Sequence, residues 1–549
     1  MAETEFVNIA AHLPEMARRQ PETRAIIFPK GKRSLTFSEL NRLSDRIARG
    51  LIANGIRSGV RTVLMVTPSP EFFALTFALF KIGAVPVLID PGLGIKNLKQ
   101  CFSEAEPHAF IGIPKAHIAR KLFGWGKETI RTCITVGPRL LWEGTTLAKI
   151  IAEQDDDTPF TLAPTQQEDV AAILFTSGST GIPKGAIYSH GNFSAQVKAL
   201  KEVYGIEPGE IDLPTFPLFA LFAPALGMTA VIPEMDFTRP GSVDPRKIVG
   251  PINEYGVTTM FGSPALINRV GRYGVEHGVK LPTLRRAISA GAPVPASVLE
   301  RFTSLLNPGV QVFTPYGATE ALPVCSIGST EILEETRKIT DAGGGVCVGR
   351  PVEGIRLEII QITDNPIYGW DDSLRVPVGK IGEIVVQGEQ VTRGYYNRPE
   401  SDHLSKIIDS ATGSFFHRMG DLGGRDEEGR VWFCGRKSHR VETEGGLLYT
   451  IPCEAVFNTH PAVFRSALVG VGEPGALTPV ICIELEKNVK VDQEQVRKEL
   501  EALAEEHIHT RSIETILFHP AFPVDIRHNA KIFREKLAVW AAESLKCAR

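Results

Sequence analysis

Closely spaced cysteine pairs are missing from this sequence. Its eight cysteines, Cys101, Cys133, Cys325, Cys347, Cys434, Cys453, Cys482 and Cys547, form no Cys-x-x-Cys pair and no Cys/His spacing suited to zinc. A disulfide scaffold and a zinc ribbon are thereby excluded, and reduced, mostly buried thiols are expected. A dominant charge is missing too: 60 Lys and Arg against 63 Asp and Glu leave a formal net charge of -3, with no global basic field for nucleic acid. The expected partner is a small molecule. The start, MAETEFVNIAAHLPEMARRQ, lacks a basic segment followed by a hydrophobic block, and Cys547 sits one place wrong for prenylation. No signal peptide is expected, and the cytoplasm is the expected compartment. Long unbroken hydrophobic runs are absent as well. Residues 62–90 are interrupted by Pro68, Pro70, Glu71 and Lys81, and the uncharged residues 213–233 by Pro217 and Pro224. The first run divides into strand, helix and strand, and no transmembrane segment is expected. Repeats, coiled coils and low-complexity tracts are also lacking.

What is present is ordinary globular composition, 43% apolar and 22% charged over 549 residues, enough for roughly three to five compact units. Strand-like runs (AFIGI near 110, TCITV near 133, AAILF at 171, TTMFG at 258, RRAISA at 285) alternate with helix-like ones through the first three hundred residues. The pattern indicates an α/β fold with largely parallel sheets in two lobes. After about residue 345, RLEII, GEIVVQG and RVWFCGR, separated by Gly and Asp turns, read as antiparallel strands of a small barrel. A basic turn, GRKSHR at 435–440, then precedes a new run of strands and helices. The expected division is an N-terminal domain over 1–434, a boundary turn at 435–440 and a small α+β domain over 441–549.

The stretch FTSGSTGIPKG, residues 175–185, concentrates three glycines, four hydroxyls and one lysine directly after the apolar run VAAIL. Glycine-freed N–H groups and hydroxyls can line a concavity for phosphate oxygens, with Lys184 as the cation. It is not the GxxxxGK[ST] phosphate loop, in which Lys directly precedes a metal-binding hydroxyl.

TSGSTGIPKG resembles the phosphate loop of the adenylate-forming superfamily of acyl-CoA synthetases, luciferases and peptide-synthetase adenylation domains. The resemblance continues in order through SAGAPVP, YGATE, HRMGDLG, GRKSHR and HNAKI. It implies ATP and Mg2+ as cofactors. The nucleotide would be held by Thr176, Ser177, Gly178, Ser179, Thr180, Gly181, Lys184 and Gly185 of the loop. Ser289, Ala290, Gly291, Ala292 and Pro293 would lie along the adenine, and Tyr316, Gly317, Ala318 and Thr319 would follow, with Tyr316 stacking on the base and Thr319 reaching the AMP phosphate. Asp421 would grip the ribose, beside Arg436. Lys531, Thr180, Lys184 and Glu320 would carry catalysis, and Glu320 with Thr180 the magnesium.

Departures narrow the expectation. Ala220 stands where many acyl-CoA synthetases have a gating histidine, Ser438 where the hinge commonly has Asp or Lys, and Asn529-Ala530 where Ser-Gly usually precedes the late lysine. The segment VETEGGLLYTIPCEAV is longer than the usual Gly-rich strand pair that faces pantetheine. A denser resemblance, through DLPTFPLFALFAPALG, GSPAL, TPYGATE, FCGRKSHRVET and FPVDIRHNAKI, is to the OleC-type β-lactone synthetases of bacterial long-chain olefin biosynthesis. It implies adenylation of a long-chain 2-alkyl-3-hydroxy acid followed by attack of the 3-hydroxyl on the acyl carbon. The substrate channel would include Phe216, Phe219, Ala220, Phe222 and Gly262, and the enzyme would work beside other olefin-pathway enzymes. The alternative reading is a long-chain fatty acyl-CoA synthetase. No general base is evident; His190 is one possibility, with a satisfied loop histidine as its ordinary reading.

Overall fold

The computed structural model describes residues 6–154, 158–177, 183–486, 492–524 and 532–547. Two seven-stranded sheets make up most of the chain before residue 315. In the first, Thr145–Thr146, Thr132–Thr135, Ala109–Gly112, Arg61–Met65, Val85–Ile89 and Val170–Ser177 run parallel in that order, and Pro183–Ser189 closes the row antiparallel. The interrupted run 62–90 is the crossover of this sheet: strand Arg61–Met65, helix Pro70–Lys81, strand Val85–Ile89. Pro70 sits in the first turn, where its missing N–H costs nothing, and the Ser69 hydroxyl accepts from Phe72 N. Every residue from Phe72 to Lys81 is buried, which accounts for its near-continuous hydrophobicity.

The second sheet repeats the plan, with Gln311–Phe313, Arg286–Ile288, Thr259–Phe261, Ile211–Pro214, Thr229–Val231 and Arg24–Phe28 parallel, then Arg33–Thr36 antiparallel. The uncharged residues 213–233 are thus two buried strands around a 3-10 turn, Phe219–Leu221, and the one-turn helix Phe222–Ala225. Among the described residues, no helix is long and apolar enough to cross a membrane. One core cluster joins the sheets, from Leu64 and Ala171 of the first to Ile26 and Ala230 of the second. The helix His190–Tyr204 follows the last strand of the first sheet, held at its start by a Ser189/Asn192 capping box.

Between residues 346 and 436 the strand pairing turns antiparallel. Val346–Cys347, Val431–Arg436, Ser414–Arg425, Gly382–Gln387 and Arg356–Ile360 pair in that order, with Lys406–Asp409 added beside Ser414–Arg425. Among the described residues the two end strands do not pair with each other. The chain after Arg436 forms a second core: strands Val463–Val471, Thr478–Leu485 and Thr515–Phe518 packed by helices Thr450–Phe457 and Gln493–Glu506. Seven cysteines are free thiols, six of them buried.

Candidate adenylate-forming site

The strands on either side of the glycine-rich stretch pair with each other. Val170–Ser177 and Pro183–Ser189 pair with Phe175 opposite Gly185 and Thr176 opposite Lys184. Gly178, Ser179, Thr180 and Gly181 lie outside the described residues, and Thr176 and Ser177 are described in backbone alone. Gly185 has a packing reason for lacking a side chain, since a Cβ there would stand 2.8 Å from Phe175 Cζ and 2.9 Å from Ile173 Cγ2.

Lys184 projects beside a second expected residue. The YGATE segment is a tight hairpin, Tyr316–Ala318 against Ala321–Ser326, with Thr319 and Glu320 at its turn. Gly317 allows the turn to close, because a Cβ would meet Ala321 O at 2.6 Å. Lys184 and Glu320 are joined by a residue that sequence reasoning missed. The Tyr395 hydroxyl donates to Glu320 Oε1 at 2.6 Å, and Lys184 Nζ lies 5.0 Å from the Tyr395 ring centroid. Behind it lie Asp402, which accepts from Tyr395 N at 2.8 Å, and the buried Lys406. Burial pulls the Lys406 ammonium down to about 7, against the opposing pull of Glu320 and Asp402. His417 is buried nearby and held neutral by the same desolvation, reinforced by the Lys406 and Lys184 charges.

The residue expected to grip the ribose sits in a three-membered cluster. Asp421, on Ser414–Arg425, is the register partner of Arg436 on Val431–Arg436. Arg436 Nη1 stands 2.9 Å from Asp421 Oδ1, and the Tyr316 hydroxyl donates to Oδ2 at 2.7 Å. Burial raises the Asp421 carboxyl, while the guanidinium and the phenol hold it down. Tyr316 is itself buried, its ring 6.0 Å from that of Phe433, and burial beside Asp421 raises its hydroxyl far above the usual range. The structure thus brings Tyr316, Asp421 and Arg436 into one cluster, and Lys184 and Glu320 into another that adjoins the same hairpin. Thr319 is held by its backbone, whose carbonyl accepts from the Tyr188 hydroxyl.

The segment 289–293 leaves the C-terminal end of strand Arg286–Ile288. Ser289 is fully buried. Gly291 has φ +100°, a conformation that a side chain would strain.

An apolar cavity of about 80 Å³ lies below these segments, lined by Ala290, Pro315, Leu322, Phe219, Phe222 and Phe261 among others. Of the five expected channel residues only Phe219 and Phe222 line it. Phe216 reaches it through its ring contact with Phe219, 5.1 Å between centroids. Ala220 is sealed in the core, and Gly262 faces the next helix, where a Cβ would stand 3.0 Å from Leu266 Cδ2. The one-turn helices aim alternate side chains of this stretch away from the cavity, which an unbroken apolar run cannot reveal. Asp212 lines the cavity's far end, and burial raises its carboxyl to about 8. A larger cavity of about 330 Å³ is lined by Arg61, Val85 and Val170, the first residues of three parallel strands. Ligands of open α/β sheets bind outside the opposite, carboxyl ends, so the smaller cavity is the acyl-site candidate. His190 lies deep in the core, its Nδ1 accepting from Ile9 N at 3.1 Å, and burial lowers it to about 4. It is a core histidine.

The basic turn is one turn of 3-10 helix, Lys437–His439, tied to both sides. Lys437 Nζ lies 3.2 Å from Glu383 and Arg440 Nη2 2.5 Å from Asp364, while His439 Nε2 reaches Glu535 of the last helix at 3.4 Å. The segment read as a lengthened turn is a hairpin, Val441–Thr443 and Gly446–Leu448, with a two-residue connection. Lys531 lies outside the described residues; close by in the chain, Arg534 forks onto the buried Glu454, with contacts of 2.7 Å to each carboxylate oxygen.

This donor set fits a nucleotide triphosphate with magnesium. Among the described residues no cluster of three or more His, Cys, Asp or Glu side chains could hold a metal by itself. Glu320 beside Lys184 instead offers one carboxylate and one cation. That suits a hard ion sharing its coordination with phosphate oxygens and waters.

Comparison with known proteins agrees with that geometry. A family model described as AMP-binding enzyme matches residues 13–396. The chain is 51% identical, over 98% of its length and 99% of the relative's, to an olefin beta-lactone synthetase of Stenotrophomonas maltophilia. It is 50% identical, over 98% of both, to an olefin beta-lactone synthetase of Xanthomonas campestris pv. campestris. Among solved structures, the amide bond synthetase McbA from Marinactinospora thermotolerans superposes with a TM-score of 0.79 at 22% identity, covering 97% of this chain and 99% of that one. The last likeness concerns the fold alone.

Proposed function

The chain belongs to the AMP-binding enzyme family, and from that premise we propose that it adenylates a long-chain 2-alkyl-3-hydroxyalkanoic acid and closes it to a β-lactone, releasing pyrophosphate and AMP. The observation that carries the reading is the pairing of two sites on one hairpin. Tyr316 at its start holds Asp421 for a ribose, and Glu320 at its turn stands with Lys184 for phosphates.

In the first step a carboxylate oxygen attacks the α-phosphorus of ATP and the bond to pyrophosphate breaks. Two anions must meet, so the chain's part is to supply positive charge and donors where charge develops. Lys184 and Thr180 serve the phosphates, and Lys531, carried by the C-terminal unit, meets the α-phosphate and carboxylate. Magnesium, when bound at Glu320, supplies further neutralisation of the departing pyrophosphate. In the second step the 3-hydroxyl oxygen attacks the acyl carbon, its proton is released to solvent, the acyl–phosphate bond breaks, and AMP leaves with the electron pair. Holding both reactants in one molecule removes the need for an external acceptor. The cavity of about 80 Å³ is small against the ~300 Å³ or more of ordinary ligand sites, so its phenylalanine wall must open for alkyl chains.

Cytoplasmic residence, and assembly with enzymes that supply the hydroxy acid or consume the lactone, belong to the same proposal. The test separates the half-reactions. Pyrophosphate release should require the acid, and a 3-deoxy analogue should stop as bound acyl-AMP. Turnover of the 3-deoxy acid to a thioester on adding CoA would replace this reading with the acyl-CoA synthetase one.

A further inference from the structure

The segment from Val391 to Tyr396 is a strap across both halves of the phosphate site. At one end it bonds to the Glu320 turn: Ala321 bridges Val391, and Thr392 N donates to Glu320 O at 2.8 Å. At the other it lies along the strand that carries Lys184: Ala186 bridges Tyr395, Ile187 N donates to Gly394 O at 3.0 Å, and Tyr396 N donates to Gly185 O at 2.8 Å. Tyr395, only 7% exposed, is the strap residue whose side chain touches both expected phosphate ligands. Its hydroxyl uses one oxygen of Glu320 and leaves the other for a cation. Its ring meets the Lys184 ammonium at 5.0 Å, within the range of a cation–π contact. Asp402 fixes the backbone of Tyr395 and packs so closely that a Cβ on Gly394 would come within 2.7 Å of Oδ2.

We propose that Tyr395 is a positioning residue that fixes the Glu320 carboxylate for the divalent cation and the Lys184 ammonium for the phosphates at their correct separation. The proposal rests on the adenylation reading, in which Glu320 binds the metal. The physical basis is general. A carboxylate with a free rotor spends binding energy on ordering, and outer partners that orient metal ligands carry roughly 10- to 100-fold in metal affinity. Tyr395 supplies that order with a single donor, without adding charge.

The test uses the full chain with ATP and no acid, and measures Mn2+ binding by the loss of its free-ion electron paramagnetic resonance signal. Tyr395→Phe keeps the ring and removes the donor; it should weaken Mn2+ about tenfold or more while leaving the melting temperature near that of the wild type. In a Glu320→Gln background the same change should cost little further, because the two residues act as one unit. Wild-type Mn2+ affinity in Tyr395→Phe would overturn the proposal. So would an equal loss with and without Glu320, since Tyr395 would then act elsewhere. If Tyr395→Phe does not fold, Tyr395→His takes its place: its ring stops short of the 2.6 Å contact, so the same loss is required and wild-type affinity refutes. A wild-type protein that binds Mn2+-ATP but releases no pyrophosphate with any acid would sink the adenylation reading instead, a result distinct from either.

Discussion

Replacing Tyr316 by phenylalanine should weaken ATP binding, and more so in acid. The phenol donates to Asp421 Oδ2 at 2.7 Å, both groups being buried, while Arg436 faces the other carboxylate oxygen at 2.9 Å. Hydrogen bonds to charged groups contribute about 1.5–3 kcal/mol, and a buried acceptor left without its donor costs at least as much. If ribose recognition draws on that fixed carboxylate, the dissociation constant for ATP should rise roughly 10- to 150-fold. Burial already raises the Asp421 carboxyl, and the phenol is one of two groups opposing that rise. Without it the acid climbs further, the ionised acceptor becomes scarcer as pH falls, and the deficit should be larger at pH 6 than at pH 8. Calorimetric titration of ATP at both values measures this. An unchanged affinity, or a deficit equal at both pH values with melting temperature lowered in parallel, would refute the reasoning and reduce Tyr316 to a core aromatic.

Three further outcomes are expected. Burial raises the Asp212 carboxyl to about 8 from an ordinary 3.8, so the unfolded chain releases that proton first and stability falls as pH rises between those values, by at most about 6 kcal/mol. Asp212→Asn should flatten the pH dependence of the melting temperature and raise it at pH 8; parallel curves for the two proteins would contradict this. Lys531→Ala should cost far more in turnover than in nucleotide affinity, because it meets its ligands only in the closed arrangement, and comparable losses in calorimetry and pyrophosphate release would count against it. Lys437→Ala removes a cation 3.2 Å from the nearly inaccessible Glu383. Adenylation should fall severalfold as the turn loses its anchor, whereas a stall after normal acyl-AMP formation would show that the turn must pivot in the second step.

The parallel lobes were legible because their strands are apolar, evenly spaced and bounded by turn residues, so AAILF and TTMFG could be read as strands without tertiary information. The antiparallel region was legible for the same reason. What escaped were the features created by distant contacts. Tyr395 stands 75 positions from the carboxylate it orients, and nothing in RGYYNRPE gives its direction. Asp212 is a lone acid in an otherwise apolar strand, and only the cavity beside it makes that burial informative. Ala220 and Gly262 were expected in the channel from the resemblance, yet Ala220 is buried in the core and a Cβ on Gly262 would meet the next helix. Gly185 has a packing reason to be glycine that the loop pattern could not reveal, since strand closeness and N–H availability both select glycine.

The central claim is most directly tested by the product. The purified protein, given a long-chain 2-alkyl-3-hydroxy acid, ATP and magnesium without CoA, should yield AMP, pyrophosphate and a compound lighter than the acid by one water when followed by mass spectrometry, and adding CoA should change neither rate nor product. Consumption of the acid only in the presence of CoA, with a thioester as the product, would contradict the account.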